Sequence, residues 1–585
     1  MLPPASGKPL WVQKTSKRTV RSLRLSLFHA TETIRYEIRD GAQHVYHSPD
    51  LDAVVPRGQH YAFDLIAHVG VQHFLRGRKL LDVWEDLCDP KSNKRIPFNS
   101  LFELSRKFLY YLGELHRQSG PAIKAFFQVQ GSNDWLVDGT LEPGTPVYFG
   151  VKEAKSGILL QCRKIPSENV GDISGTMKEA AQLFGVPQRI RHDLSENIST
   201  ACEETFPGVP HDVCQYHLLS DIGEDLYQGP QNALGKRLRS LRLLVRLKDQ
   251  RSKQTQWLRQ NLQDPETQLH LQRLLLDPSL EKPTEDGPLG REVLLALHSW
   301  LLDHPSDGRR QGVPFDPHLL YLHRRIVKVR DALTRLLDHP GFRERAFRPL
   351  INFHQNLCNY LQDPEVLRAA ELFEAASLLF ERLREILRLQ PNHSTPLSDS
   401  YSLEASGNKQ IQQALLEYRK ELETQARDHP DPEIQKLHQI VLDHLDRYKN
   451  SLFREHHANE KPRERTTNGL EGHWRERKRK RREAHGRSKL TLDFQALPEE
   501  YMLVSNLDNP VYLSLVLGEN QSLPEALARA AENAGPFNHW LRTTRPKLIG
   551  RLPTKLIRQE GFINQLLSTY DQHALVHLEE PSLAG

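Results

Sequence analysis

Residues 133–166 read NDWLVDGTLEPGTPVYFGVKEAKSGILLQCRKIP, and residues 187–217 read PQRIRHDLSENISTACEETFPGVPHDVCQYH. Three short apolar runs (135–137, 147–151 and 158–162) are parted by Pro143-Gly144 and Ser156-Gly157. Turn residues between such runs predict consecutive antiparallel strands. A helical pattern follows over 168–184. A fourth strand is expected at 188–191, ending in His192-Asp193, then a helix at 195–206 and a fifth strand at 209–213. Three antiparallel strands followed by two helix-linked ones predict a mixed sheet with helices on its faces.

Two acids fall at the ends of those strands: Asp138 closes the first and Asp193 the fourth. Carboxylates at strand ends converge on one sheet edge, and their hard oxygens suit Mg²⁺ or Mn²⁺. A third acid is offered by RTTNGLEGHWRERKRKRREAHGR (465–487), where Glu471 lies one turn into a helix beginning near Thr467. Asp193 and Glu471 are 278 residues apart, so a large insertion divides any site they share. Each acid also has a plainer reading. Asp193 suits a helix cap and Glu471 a first-turn dipole partner. Competing acids nearby are Asp134, Glu142, Glu196, Glu464 and Glu476, with Glu142 the strongest candidate for a supporting role.

Asp138-Gly139-Thr140, the Asp193 strand end, Cys214-Gln215-Tyr216-His217 and Asn468-Gly469-Leu470-Glu471 together resemble the DDE-type transposases of the RNase H-like superfamily. The nearest groups are bacterial insertion-sequence and Mutator-like transposases, which carry a C-x-x-H after the second acid and a helical insertion before the Glu. The likeness covers roughly residues 130–230 and 460–510, with a weaker one at the N-terminus. It implies an enzyme that binds the ends of a mobile element and performs DNA strand cleavage and transfer. It also implies two Mg²⁺ or Mn²⁺ ions, with Asp138 bridging both, Asp193 on one and Glu471 on the other. Double-stranded DNA, a homo-oligomer that brings two ends together, and a cytoplasmic, nucleoid-associated bacterial setting follow from the same resemblance. A transposase-derived protein that only binds DNA, and a related nuclease that only hydrolyses, are the alternatives.

Cys214 and His217 have half the spacing of a zinc site, but no convincing second pair accompanies them. A buried strand-end thiol and a histidine beside the acids is the plainer expectation. Residues 475–489 hold nine Lys/Arg against two acids, so charge is concentrated there although the chain nets only +5. Arg475, Arg479 and Arg482 fall on one helical stripe with Glu471. With Lys478 they are the candidate phosphate contacts. Trp474 is a candidate base-stacking residue or, alternatively, a core anchor.

The expected fold class is α+β and mostly helical, an RNase H-like mixed sheet interrupted by an all-α insertion. Residues 1–55 are expected to hold a β-hairpin, from the alternation over 18–39. Residues 56–125 are read as helix-turn-helix-like and DNA-binding, with helices at 61–74, 80–87 and 100–116, the last opened by a Ser100/Glu103 capping box. The core is split between 130–223 and 461–510. Residues 224–460 form the insertion, including a near-heptad stripe from Val366 to Leu387 and a basic segment (235–248) with Leu238, Leu241 and Val245 inward. Asp-His-Pro at 303–305, 338–340 and 428–430 marks helix ends rather than metal ligands. The role of 511–585 is open, with a basic tract at 542–555. No apolar run approaches a membrane span, and five scattered cysteines suit a reducing compartment.

Overall fold

A computed structural model describes residues 10–24, 27–88, 96–261, 289–303, 313–338, 348–389, 405–452, 465–518, 521–544, 561, 563–565 and 567–568. It is mostly helical, with one five-stranded mixed sheet and one open three-stranded sheet. The three-stranded sheet is a meander of β1 (Trp11–Arg21), β2 (Leu27–Arg39) and β3 (Ala42–Tyr46). Its third strand extends beyond the expected hairpin. The missed signal was Asp40-Gly41, where both residues take positive φ (52° and 75°) and close a two-residue turn between Arg39 and Ala42.

The five-stranded sheet comprises β4 (Asp134–Thr140), β5 (Val147–Glu153), β6 (Leu159–Ile165), β7 (Arg189–His192) and β8 (His211–Val213). Their order is β6-β5-β4-β7-β8, antiparallel from β6 to β4 and parallel from β4 to β8. Gly144 and Gly157 take positive φ in the two turns, as the sequence signals require. Trp135, Leu136 and Val137 are all buried, because β4 is central and covered on both faces. Asp138 lies two residues before the end of β4, rather than closing it.

Directly opposed residues of an antiparallel pair share a face, so Asp138 and its partner Gly150 face the same way as Tyr148. That face is covered by the chain from 468 onward. The Trp474 ring lies so close to Gly150 that a Cβ there would stand 2.5 Å from it. The Tyr148 hydroxyl donates to the carbonyls of Leu497 and Phe494 at 2.7 and 3.1 Å. Side chains cap the edge strand β6: Asn506 accepts from the Leu159 N–H at 2.9 Å and donates to its carbonyl at 2.8 Å, and Glu499 accepts from the Lys164 N–H at 3.1 Å.

The third helix of the N-terminal region runs Phe98–Gln118 and begins earlier than expected, so Ser100 is not its cap. The Ser100 hydroxyl accepts instead from Tyr61 at 3.1 Å. Between Leu104 and His116 this helix has no exposed residue, and it shares one apolar core with the five-stranded sheet. The helix before it, Leu80–Leu87, contains no Lys or Arg and exposes Glu85 and Asp86.

Among the described residues, 215–452 are built of helices around a second apolar core. They begin at Gln215, earlier than expected, in a helix that runs to Ser240. Val366, Ala369, Phe373, Ala376, Phe380, Leu383 and Leu387 are all buried. Val245 is not: it is 46% exposed, while Leu243 and Leu247 are buried. The expected phase assumed one continuous helix, but Arg242 takes φ +53° and a new helix starts at Leu243. Helices end at Asp303 and Asp428, and Asp338 caps a third, as the three Asp-His-Pro triplets suggested. Residues 510–544 pack back on the first core through Tyr512, Val516 and Leu527, while most of the 542–555 basic tract lies outside the described residues. No described helix is long and apolar enough to cross a membrane.

Candidate active site

The β4–β7 register sets the first two acids side by side. Leu136 pairs with Arg191 in parallel, so two residues further along each strand Asp138 and Asp193 stand level. Neighbouring strands lie about 4.8 Å apart. The Asp193 carboxylate also accepts the Ser195 N–H at 2.9 Å, a turn contact; the helix is Glu196–Thr205 with Ser195 at its cap position, so Asp193 is not the cap expected of it.

The third acid arrives on the Asn468–His485 helix. That helix runs along the end of β4 one turn per contact. Trp474 Nε1 donates to Asp138 Oδ2 at 3.2 Å, Lys478 Nζ to the Leu141 carbonyl at 2.8 Å, and Arg482 Nη2 to Glu142 Oε1 at 3.0 Å. Lys152 of β5 fixes its first turn, donating to the Gly469 carbonyl at 2.8 Å. Glu471 Oε1 then lies 3.2 Å from the donating Thr467 hydroxyl and 3.5 Å from His217 Nε2.

Electrostatics ties the three together. Burial raises the Asp138 carboxyl well above the usual carboxylate range, and the charges of Glu471 and Asp193 raise it further. Burial alone would lower the His217 imidazole. Its contact with Cys214 and the negative charges of Glu471 and Asp138 outweigh that and lift it to about 10. His217 is thus held as a cation among the acids. Cys214 is fully buried and accepts the Thr467 N–H at 3.3 Å. Both residues follow the plainer expectation made for them: a strand-end thiol, and a histidine touching a site carboxylate.

Several expected roles change. Trp474 is 4% exposed between Gly150 and Asp138, so it is a core anchor and cannot stack on a base. Glu142 faces the basic helix, pairing with Arg482 and, at 3.4 Å, with Lys478. Those two cations are therefore already compensated. Arg479 pairs with Glu483 at 2.7 Å in the open. Arg475 is exposed, with no ion pair among the described residues. Glu476 pairs with Lys480 at 2.9 Å, Glu196 is exposed at a helix start, and Glu464 lies outside the described residues.

One acid escaped the sequence reading. Glu168 precedes the Val170–Phe184 helix, and a Cβ on Gly139 would collide with its carboxylate. Burial and the charge of Asp193 both raise its pKa. Only the glycine after Asp138 hinted at a close neighbour. Among the described residues, no group of three or more His, Cys, Asp and Glu stands close enough together to hold a metal ion. The donor chemistry suits a hard cation, since two like charges bear on a buried Asp138. Compared with models of known protein families and with curated protein sequences, the chain matches none.

Proposed function

We propose that the protein is a DNA transposase that cuts and rejoins phosphodiester bonds through Asp138, Asp193 and Glu471. One observation carries this reading: the Asn468–His485 helix returns across the insertion to the end of β4, and Asp138 feels the charge of both other acids. The mixed sheet, with its three antiparallel strands leading into two parallel ones, supports an RNase H-like core. Two Mg²⁺ or Mn²⁺ ions, when bound, would activate the attacking oxygen and stabilise the leaving one. Asp138, Asp193 and Glu471 would hold those ions through their carboxylate oxygens. Within the chain, His217 orients the Glu471 carboxylate, and Trp474 holds Asp138 by Oδ2. The attacking group is water in cleavage and a 3′-hydroxyl in transfer, so no protein nucleophile is required.

Phosphate contact falls to Arg475 and Arg479, with Lys478 and Arg482 held in reserve by Glu142. The partner is double-stranded DNA, and joining two element ends calls for a homo-oligomer. A second reading is a DNA-binding protein without catalysis, in which the basic Asn468–His485 helix meets DNA and the acids do no chemistry.

Cleavage of supercoiled plasmid in Mg²⁺ separates the two. Asp138→Asn, Asp193→Asn and Glu471→Gln should each lower cleavage on the order of 10³-fold while sparing DNA binding. A folded wild type that never cleaves supports the non-catalytic reading. Cleavage retained in Glu471→Gln reassigns the third acid to Glu464 or Glu476. Cleavage without strand transfer from a pre-cut 3′-hydroxyl end indicates a nuclease.

A further inference from the structure

We infer that Arg465 is a positioning residue that fastens the Glu471 carboxylate to the helical insertion, so that the insertion governs assembly of the site. This rests on the active-site reading above and adds to it a means of control. Arg465 is the first described residue on the return from the insertion and is 2% exposed. Its guanidinium donates to the Leu387 carbonyl at 2.6 Å and to Gln215 Oε1 at 2.9 Å. Leu387 caps the Pro364–Ile386 helix at the centre of the insertion core, and Gln215 opens the helix that carries His217.

The backbone of Arg465 is fastened equally well on the other side. Its carbonyl accepts from the Gln215 N–H at 3.1 Å and from Arg191 Nη1 at 3.2 Å. Arg191 lies on β7, two residues before Asp193, and also donates to Asp212 at 3.1 Å. Two residues beyond Arg465, the fully buried Thr467 contacts Cys214 through its N–H and Glu471 through its hydroxyl. Hydrogen bonds at Arg465 and Thr467, joined by the two covalent backbone steps between them, therefore link Leu387 in the insertion to the Glu471 carboxylate, with a branch to the strand bearing Asp193. Apolar packing would hold a loop in place without burying a charge, which is costly. What the guanidinium adds is reach: a single nitrogen, Nη1, stands between acceptors on two different elements and donates to both.

Arg465→Lys in the full chain tests this, since the shorter side chain keeps the charge but brings no donor to the Nη1 position between the two acceptors. Misplacement of a reacting group by about 1 Å costs on the order of 10²-fold in rate. The expected result is that loss in plasmid cleavage at saturating DNA, with unchanged DNA affinity. Amide hydrogen exchange should be faster over 466–474 and unchanged over 364–386. Gln215→Ala, which removes one acceptor and leaves the backbone bonds, should show the same pattern more weakly. It also serves if Arg465→Lys does not fold. Wild-type cleavage rates in both variants overturn the inference. So does faster exchange spread evenly over both segments, which marks general loosening. If wild type itself does not cleave, the transposase reading fails instead and exchange alone decides the tie: faster exchange confined to 466–474 supports it, and unchanged exchange overturns it.

Discussion

His217 shows how one side chain registers its surroundings. Its imidazole is raised in the folded chain from an ordinary value of 6.5 to about 10. The folded state therefore holds a proton that the unfolded state releases between those values. The stability His217 contributes is complete below about pH 6.5 and is lost as pH rises through about 10. Denaturant midpoints measured from pH 6 to 10 should fall with pH in wild type and fall less in His217→Gln; equal slopes would remove the imidazolium from the site. The sequence made Asp138, Asp193, Cys214 and His217 legible because each lies near a strand end or helix start that turn residues delimit. It could not show Glu168 or the indole on Asp138, since both depend on side chains meeting across a sheet face.

The Asn468–His485 helix carries its acid at one end and its cations along one stripe, and the sequence displays both. What it hides is the partner of those cations. Glu142 closes against Lys478 and Arg482 from a loop more than 330 residues earlier. Removing that carboxylate as Glu142→Gln should free two cations for phosphate. DNA affinity should rise, and a plot of log affinity against log salt should steepen by roughly 1–2. An unchanged slope would mean that this face of the helix does not meet DNA. The break at Arg242 teaches a similar lesson. Periodicity read Leu238, Leu241 and Val245 as one stripe, and a single positive φ moved the inward face to Leu243 and Leu247. Phase within a helix can be read from sequence; continuity between two helices cannot, where the breaking residue is an ordinary arginine.

Among the described residues two large apolar cores stand beside a small third cluster of Val20, Val55 and Ala62. One joins the five-stranded sheet to the Phe98–Gln118 helix and the chain beyond 468; the other lies in the helical insertion. Phe380 is fully buried in the second, against Tyr227 and Phe315. Phe380→Ala should cost about 3–5 kcal/mol. Calorimetry should show that loss in a transition belonging to the insertion, while the near-ultraviolet signal of Trp135 and Trp474 melts as before. One transition shifted as a unit would show the cores to be coupled. Sequence separated the insertion from the sheet by composition and periodicity, yet it set residues 56–125 apart as their own domain. Their long helix is in fact part of the first core, because its apolar residues continue around the cylinder through Tyr110, Tyr111 and Leu112.

The Asn506 cap on β6 has a consequence during synthesis. Leu159 leaves the ribosome 347 residues before the side chain that seals it. Translation at about 5–20 residues per second makes that interval roughly 17–70 seconds. Throughout it the nascent sheet offers an open strand border to any extended polypeptide nearby, its own sister chains on the same messenger included. Crowded polysomes would thus set this protein a harder problem than dilute refolding does, and holding factors acting on the first 200 residues would bear most of that burden.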